Sequence, residues 1–249
     1  MIDLHAHILH NLDDGPETLE ESIVMCRIAH RDGIRTIVAT PHMLNGVYET
    51  NWEAVLSRVR ELNEALMKGE ILPELIILPG ADVHFNSEIL PLYEKSCFGT
   101  INDKGKFMMI ELPHREVPAR AEDLLFRLLA KGIVPIISHP ERNIEIRQNP
   151  QRFYHMVRMG CLGQVTAMSL TNGFGSSVKQ LSEKLLTHRL IHFIASDAHS
   201  IEGRPPVLSA AIKAVGKLVG KGEALKMVTE YPLAVLEGRR PKVPEPIPI

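Results

Sequence analysis

The sequence predicts an α/β protein built on a parallel sheet, and three observations predict it. Seven short apolar runs of strand length recur along the 249 residues. Amphipathic helical stretches separate most of them. Histidines and carboxylates gather at or just past the C-terminal ends of those runs. Strands that alternate with helices form a parallel sheet, open or closed into a barrel.

The first run, MIDLHAH (1–7), leads into Asp13-Asp14-Gly15-Pro16. A helix is expected after Pro16, a residue favoured in a first turn, and it closes near Gly33. IRTIVAT (34–40) is the second strand and runs into Pro41-His42. TNWEAVLSRVRELNEALMKG (50–69) carries apolar residues at helical spacing, with Gly69 just past its end. LIILPGA (75–81) is the third strand and runs into Asp82-Val83-His84; the stretch from Leu90 to Asn102 is the least regular. KFMMIEL (106–112) is the fourth strand, and RAEDLLFRLLAKG (120–132) repeats the helical design. IVPIIS (133–138), CLGQVTA (161–167) and LIHFIAS (190–196) complete the set. No linker or repeat divides residues 1–240, so a single domain is expected; the tail PKVPEPIPI (241–249) reads as extended and non-catalytic.

Composition narrows the function classes. A net charge of -2 gives no basic field to recruit nucleic acid. No apolar run reaches the ~20 residues of a membrane span, and the N-terminus lacks a signal-peptide pattern. Cys26, Cys97 and Cys161 are scattered and odd in number, which suits small buried apolar roles in a reducing cytoplasm.

The polar residues at the strand ends carry the chemistry. They are His5 and His7, His42, Asp82 and His84, Glu111, His139 and Arg142, then Asp197 and His199. Residues two apart in a strand share a face, so His5 and His7 are expected to point into one cavity. Barrel enzymes collect their reactive groups at this rim. Buried imidazoles and carboxylates need partners, and a metal cluster supplies partners for all of them at once. His10, His30, His84, His114, His155, His188 and His192 lack this combined support and read as surface or satisfied core histidines.

Together D-L-H-A-H, D-D-G-P, T-P-H, S-H-P-E-R and S-D-A-H-S-I-E-G-R-P-P resemble the polymerase-and-histidinol-phosphatase (PHP) superfamily, and within it the bacterial CpsB/YwqE-type metal-dependent protein-tyrosine phosphatases. The likeness runs from Met1 to about Glu237. It implies a distorted seven-stranded TIM-like (β/α) barrel and three divalent metal ions, manganese preferred, with iron, cobalt, zinc or magnesium as alternatives. It implies removal of phosphate from tyrosines of a bacterial tyrosine kinase that controls capsule or exopolysaccharide synthesis. Carried over by motif, His5, His7, Asp82 and Asp197 hold the first metal; Asp82, Glu111 and His139 the second; Asp14, His42 and His199 the third. His199 is also placed among the catalytic residues, with Arg142 and Arg204 clamping the phosphate. Asp14 rather than Asp13 is the ligand by its position in D-D-G-P, and Asp3 is an orienter of the histidines. The family's bridging glutamate is Asp82 here, one methylene shorter.

Phosphate chemistry agrees with this set. Three divalent ions facing four carboxylates leave about two positive charges, which matches a phosphate monoester dianion. No cysteine is followed six positions on by arginine, so the cysteine-nucleophile phosphatase loop is absent. Three rivals stand beside this reading: a phosphatase of a small metabolite such as histidinol phosphate, a metal-dependent amide hydrolase, and a non-catalytic binding barrel. The amide hydrolase lacks a candidate for its carbamylated lysine, and near-neutral charge disfavours a nucleic-acid-binding barrel. A homo-oligomer is compatible with the sequence.

Overall fold

The computed structural model describes residues 1–48, 50–68, 72 and 74–249. Gly69, the expected stop of the second helix, lies outside the described residues. All seven expected strands form: β1 (Ile2–Ala6), β2 (Thr36–Ala39), β4 (Ile76–Pro79), β6 (Phe107–Glu111), β7 (Val134–Ser138), β8 (Leu162–Thr166) and β9 (Phe193–Ala195). Two short strands were not expected, β3 (His42–Met43) and β5 (Asp82–His84). Each continues the strand before it after a break. Pro41 has no N–H to give to a ladder, and it separates β2 from β3. Gly80 separates β4 from β5; a Cβ there would stand 2.6 Å from Val38 Cγ1, so the close approach requires glycine.

Every strand pair is parallel, in two sheets ordered β1-β2-β4 and β3-β5-β6-β7-β8-β9. The expected single closed barrel of seven strands is therefore not seen as such. At the seam, Ala6 and Ala198 form an isolated parallel bridge, with His7 N donating to Ala198 O at 2.8 Å and Asp197 N to His5 O at 2.8 Å.

The helices are α1 (Leu19–Arg31), α2 (Trp52–Met67), α3 (Ile89–Glu94), α4 (Ala121–Ala130), α5 (Ile144–Gln148), α6 (Gln151–Met159), α7 (Ala167–Leu170), α8 (Ser176–Thr187), α9 (Ser209–Leu218), α10 (Lys221–Lys226) and α11 (Glu230–Leu236). Their apolar stripes face the sheets: Val55, Val59, Leu62 and Leu66 are the buried residues of α2, at a spacing of three to four. Asn51 caps α2 by accepting from Ala54 N at 2.9 Å. Because helices cover one face and the site the other, strands such as β1 and β8 are buried on both parities. Residues 241–249 form no helix or strand, and Ile247 N donates to His188 O at 2.9 Å.

Candidate metal centre

The strand ends deliver the predicted side chains to one point. From β1, His5 and His7 place their Nε2 atoms 3.2 Å apart. Asp82 Oδ2 lies 3.6 Å from His5 Nε2, 3.8 Å from His42 Nδ1 and 3.9 Å from His139 Nε2. Asp197 Oδ1 lies 3.6 Å from both His5 Nε2 and His7 Nε2. Glu111 spans His42 Nδ1 at 3.6 Å and His139 Nε2 at 3.8 Å. Asp14 Oδ1 lies 3.6 Å from His42 Nε2 and 3.4 Å from His199 Nε2. Four groupings of ligand atoms close enough to share an ion result: His7, Asp14, His42 and His199; His5, His139 and Asp197; His5, His7 and Asp82; His42, Asp82 and Glu111. Every expected ligand is in the cluster. These groupings place His7 with the Asp14 set and His42 with Asp82 and Glu111, while His139 Nε2 also lies 3.9 Å from Asp82 Oδ2 and 3.8 Å from Glu111 Oε1.

The tautomers can be argued from the network. Gln164 Oε1 accepts His139 N, an obligate donor, at 3.2 Å, so that atom is the amide oxygen. His5 Nδ1, 3.1 Å from the same oxygen, must therefore carry its proton. His7 Nδ1 likewise donates to Asp13 Oδ2 at 2.6 Å. Burial lowers the pKa of both rings, so both are neutral. Two nitrogen lone pairs thus face each other across 3.2 Å beside two carboxylates. Asp82 Oδ2 and His42 Nδ1 are buried there without a hydrogen-bond partner among the described residues. A bound cation would satisfy this arrangement, and a mixed imidazole–carboxylate set suits manganese, iron or zinc.

Charge is distributed unevenly over the carboxylates. Burial, then the charges of Glu111 and Asp197, raises Asp82 well above the usual range. Burial also opposes ionisation of Asp197 and Glu111, but there the surrounding imidazole and guanidinium groups outweigh it. His5, His139, Arg204 and Arg142 hold Asp197 well below its usual value, and His84, His139 and His42 bring Glu111 to about 2. Two of the candidate ligands sit in a left-handed backbone: His139 at φ 32° after β7 and Asp197 at φ 51° after β9. Non-glycine residues pay for that conformation, and such strain concentrates at functional sites.

Both predicted arginines are here. Arg142 Nη1 donates to Asp197 Oδ2 at 2.5 Å, and Arg204 Nη2 lies 2.5 Å from the same oxygen without hydrogen-bond alignment. Asp197 therefore turns one oxygen to the histidines and the other to the arginines. Asp3, expected to orient the histidines, accepts from the backbone N of His5 at 3.4 Å rather than from a ring, and from Ser196 Oγ at 2.5 Å and Ser196 N at 3.0 Å, fastening β1 to the end of β9. Asp13 does the orienting, through His7 Nδ1 and through His42 N at 2.9 Å. His84 is not a bystander: its Nδ1 lies 3.1 Å from Glu111 Oε2. Sequence reasoning missed Gln164, Ser138 and Thr166. Ser138 Oγ donates to Asp82 Oδ1 at 3.0 Å, and Thr166 Oγ1 to Asp197 Oδ2 at 3.2 Å. Gln164 and Thr166 stand two apart inside an apolar run, and that alternation was the available signal.

A parallel α/β architecture with a multi-histidine, multi-carboxylate centre and two arginines on Asp197 resembles the metal-dependent hydrolases of the PHP/TIM-barrel-like kind. The chain belongs to the CpsB/CapC family of capsular polysaccharide synthesis, whose profile matches residues 1–237. It is 43% identical to the tyrosine-protein phosphatase YwqE of Bacillus subtilis (strain 168) over 230 residues, covering 92% of this chain and 89% of that one. It is 30% identical to the tyrosine-protein phosphatase CpsB of Streptococcus pneumoniae over 241 residues, covering 95% and 98%. Among solved structures, the crystal structures of YwqE and CpsB, described as unique metal-dependent tyrosine phosphatases, include a chain that superposes with a TM-score of 0.95. Its identity is 40%, and the match covers 100% of this chain and 99% of that one. Histidinol phosphate phosphatase from Lactococcus lactis shares the fold at a TM-score of 0.56 and 14% identity, over 88% of this chain and 93% of that one.

Proposed function

We propose that this chain is a metal-dependent phosphatase of protein phosphotyrosine, acting in the cytoplasm on a bacterial tyrosine kinase of capsule or exopolysaccharide synthesis. The observation that carries the reading is the facing Nε2 pair of His5 and His7 beside Asp82 and Asp197, with two arginines on the far oxygen of Asp197. Kinship with two phosphatases named for tyrosine supports the substrate. The two sheets are read as one distorted barrel of seven staves, β2–β3 and β4–β5 counting once each, pinched at the Ala6–Ala198 bridge.

Three divalent ions, manganese preferred, are assigned to the cluster of His5, His7, Asp14, His42, Asp82, Glu111, His139, Asp197 and His199. Bound there, they supply Lewis-acid polarisation of phosphoryl oxygens and acidify water. The chain's own residues do the rest. Arg142 and Arg204 bind the non-bridging oxygens and stabilise the charge that spreads over them in the transition state. Asp13 and Gln164 keep the Nδ1 protons of His7 and His5 in place, so their Nε2 lone pairs stay turned to the centre. His199 is held the same way, its Nδ1 donating to Asp197 O at 2.9 Å. A tyrosyl leaving group departs as a phenolate whose conjugate acid has a pKa of about 10, so it makes a lighter demand for a proton than an alkoxide.

Steady-state turnover of a phosphotyrosine peptide against histidinol phosphate, with and without manganese after chelation, tests the reading. Manganese-dependent preference for the peptide is expected. Preference for histidinol phosphate would move the assignment to a small metabolite.

A further inference from the structure

Phe174 lies 4.9 Å from the Arg142 guanidinium carbon and 5.8 Å from that of Arg204, measured to its ring centroid. It is half-buried, yet among the described residues it does not belong to the side chains packed on the apolar core. A phenylalanine is usually inside for its burial; this one spends its ring on two cations. We propose that Phe174 is a positioning residue that holds Arg142 and Arg204 in the orientation that receives phosphate, a role that deepens the phosphatase reading and rests on it.

The backbone around it is built for aiming. Thr171-Asn172-Gly173-Phe174-Gly175 joins α7 to α8, with Asn172 at φ 70° and Gly175 at φ 88°. Gly173 N donates to Met168 O at 2.8 Å, and Gly175 N to Asn172 O at 3.1 Å, so the turn closes on itself. The turn is also tied to the segment that carries Arg142. Fully buried Glu141 accepts from Thr166 N at 3.0 Å and from Ser169 Oγ at 2.7 Å, joining His139-Pro140-Glu141-Arg142 to the end of β8 and to α7. Arg142 and the loop of Phe174 are thereby fixed relative to one another.

The physical need is plain. Two guanidiniums converge within 2.5 Å of one carboxylate oxygen, so they repel each other. Among the described residues Arg204 Nε and Nη2 are buried without an aligned hydrogen-bond partner, so Asp197 Oδ2, 2.5 Å from Nη2, attracts the guanidinium without fixing the direction of its N–H groups. The negative face of an aromatic ring attracts both cations without competing for their N–H groups. Those donors then remain directed at an incoming phosphoryl group.

The test compares Phe174→Leu, Phe174→Tyr and Phe174→Trp in manganese-loaded protein. Inorganic phosphate binding is measured by calorimetry, and kcat and KM for a phosphotyrosine peptide in parallel. Phe174→Leu, which keeps apolar bulk and loses the ring, is expected to weaken phosphate binding and kcat/KM by about 3- to 30-fold. Manganese content and thermal midpoint stay unchanged, and the Tyr and Trp variants recover to within about twofold of the parent. The proposal is overturned if Phe174→Leu binds phosphate like the parent, if Trp does no better than Leu, or if the loss follows a lower thermal midpoint. Should the parent not turn over the peptide, the phosphatase reading falls by itself, and the phosphate-binding series still decides the role of Phe174.

Discussion

Asp82 and Asp13 both touch the histidine cluster, but with different consequences. Asp82 presents Oδ2 to His5, His42 and His139 while Ser138 holds Oδ1, so its charge sits in the middle. Asp13 stands behind His7 and works through the ring. Asp82→Asn is expected to lose at least one ion per chain. Asp13→Asn, whose amide oxygen still accepts from His7, is expected to keep the ion count with affinity lowered about 10- to 100-fold. Metal titration of both variants checks this, and equal loss would deny Asp82 its central place. The arginines give the complementary result. Arg142→Ala and Arg204→Ala each remove a charged hydrogen-bonding group of about 1.5–3 kcal/mol. That is a 10- to 100-fold loss in turnover of a phosphotyrosine peptide, expected at unchanged metal content. Lysine, which keeps the charge without the planar fork, restores part of it. Near-parental turnover by both alanine variants would remove the clamp. Eight of the nine ligand candidates were legible because each lies at or just past the end of an expected strand, and strand ends meet at one rim; Asp14, in the loop after β1, came only from the resemblance of D-D-G-P. Gln164 and Phe174 were not legible, since a lone polar residue in a strand and a lone aromatic in a loop acquire meaning only from what they face.

At the level of elements, the seven strands and the three helices expected around Met25, Leu62 and Leu125 stand where apolar period placed them. The break that creates β5 was invisible, because the need for Gly80 comes from Val38 on another strand; the one that creates β3 was marked by Pro41 and not read. Helix α9 shows the same limit. Its first N–H groups find no cap in their own sequence; Asp32, at the end of α1, accepts from Leu208 N at 2.7 Å and Ser209 N at 3.0 Å. This is an N-cap supplied across the fold, with a carboxylate at the positive end of the helix. Asp32→Ala is expected to cost about 1 kcal/mol. In a chain of this size that lowers the thermal midpoint by about 2–4 °C. Calorimetry on the manganese-loaded protein measures it, with metal content as the control. An unchanged midpoint would mean that water replaces the cap at no cost.

For the whole molecule, the ends of the sheet order meet through residues far apart in sequence: Asp3 accepts from Ser196, and Ala6 bridges Ala198. Closure into one barrel was what the resemblance implied, whereas strand spacing alone left the sheet open or closed; the strands observed form two sheets joined at this bridge. The opposite end of the sheet offers a handle on stability that avoids the metal centre. His192, just before β9, is buried, and its Nδ1 accepts from Gly163 N at 3.0 Å. Burial, with help from the charge of Arg240, lowers its pKa to about 3. In the unfolded chain a histidine titrates near 6.5. Between those values the unfolded chain binds a proton that the folded one refuses, so folding stability falls as pH drops from about 6.5 toward 3. The slope from this one group approaches 1.4 kcal/mol per pH unit well below 6.5. His5, His7 and His139 are lowered by burial too and act with the same sign, so the share of His192 must be isolated by difference. His192→Asn keeps an acceptor near the Nδ1 position and cannot titrate in this range. Urea unfolding of chelated protein at pH 7.5, 6.5 and 5.5 is expected to show a shallower loss of stability in the variant, by about 1 kcal/mol over the last step. Parallel slopes in the two proteins would mean that His192 is protonated as readily in the folded chain as in the unfolded one.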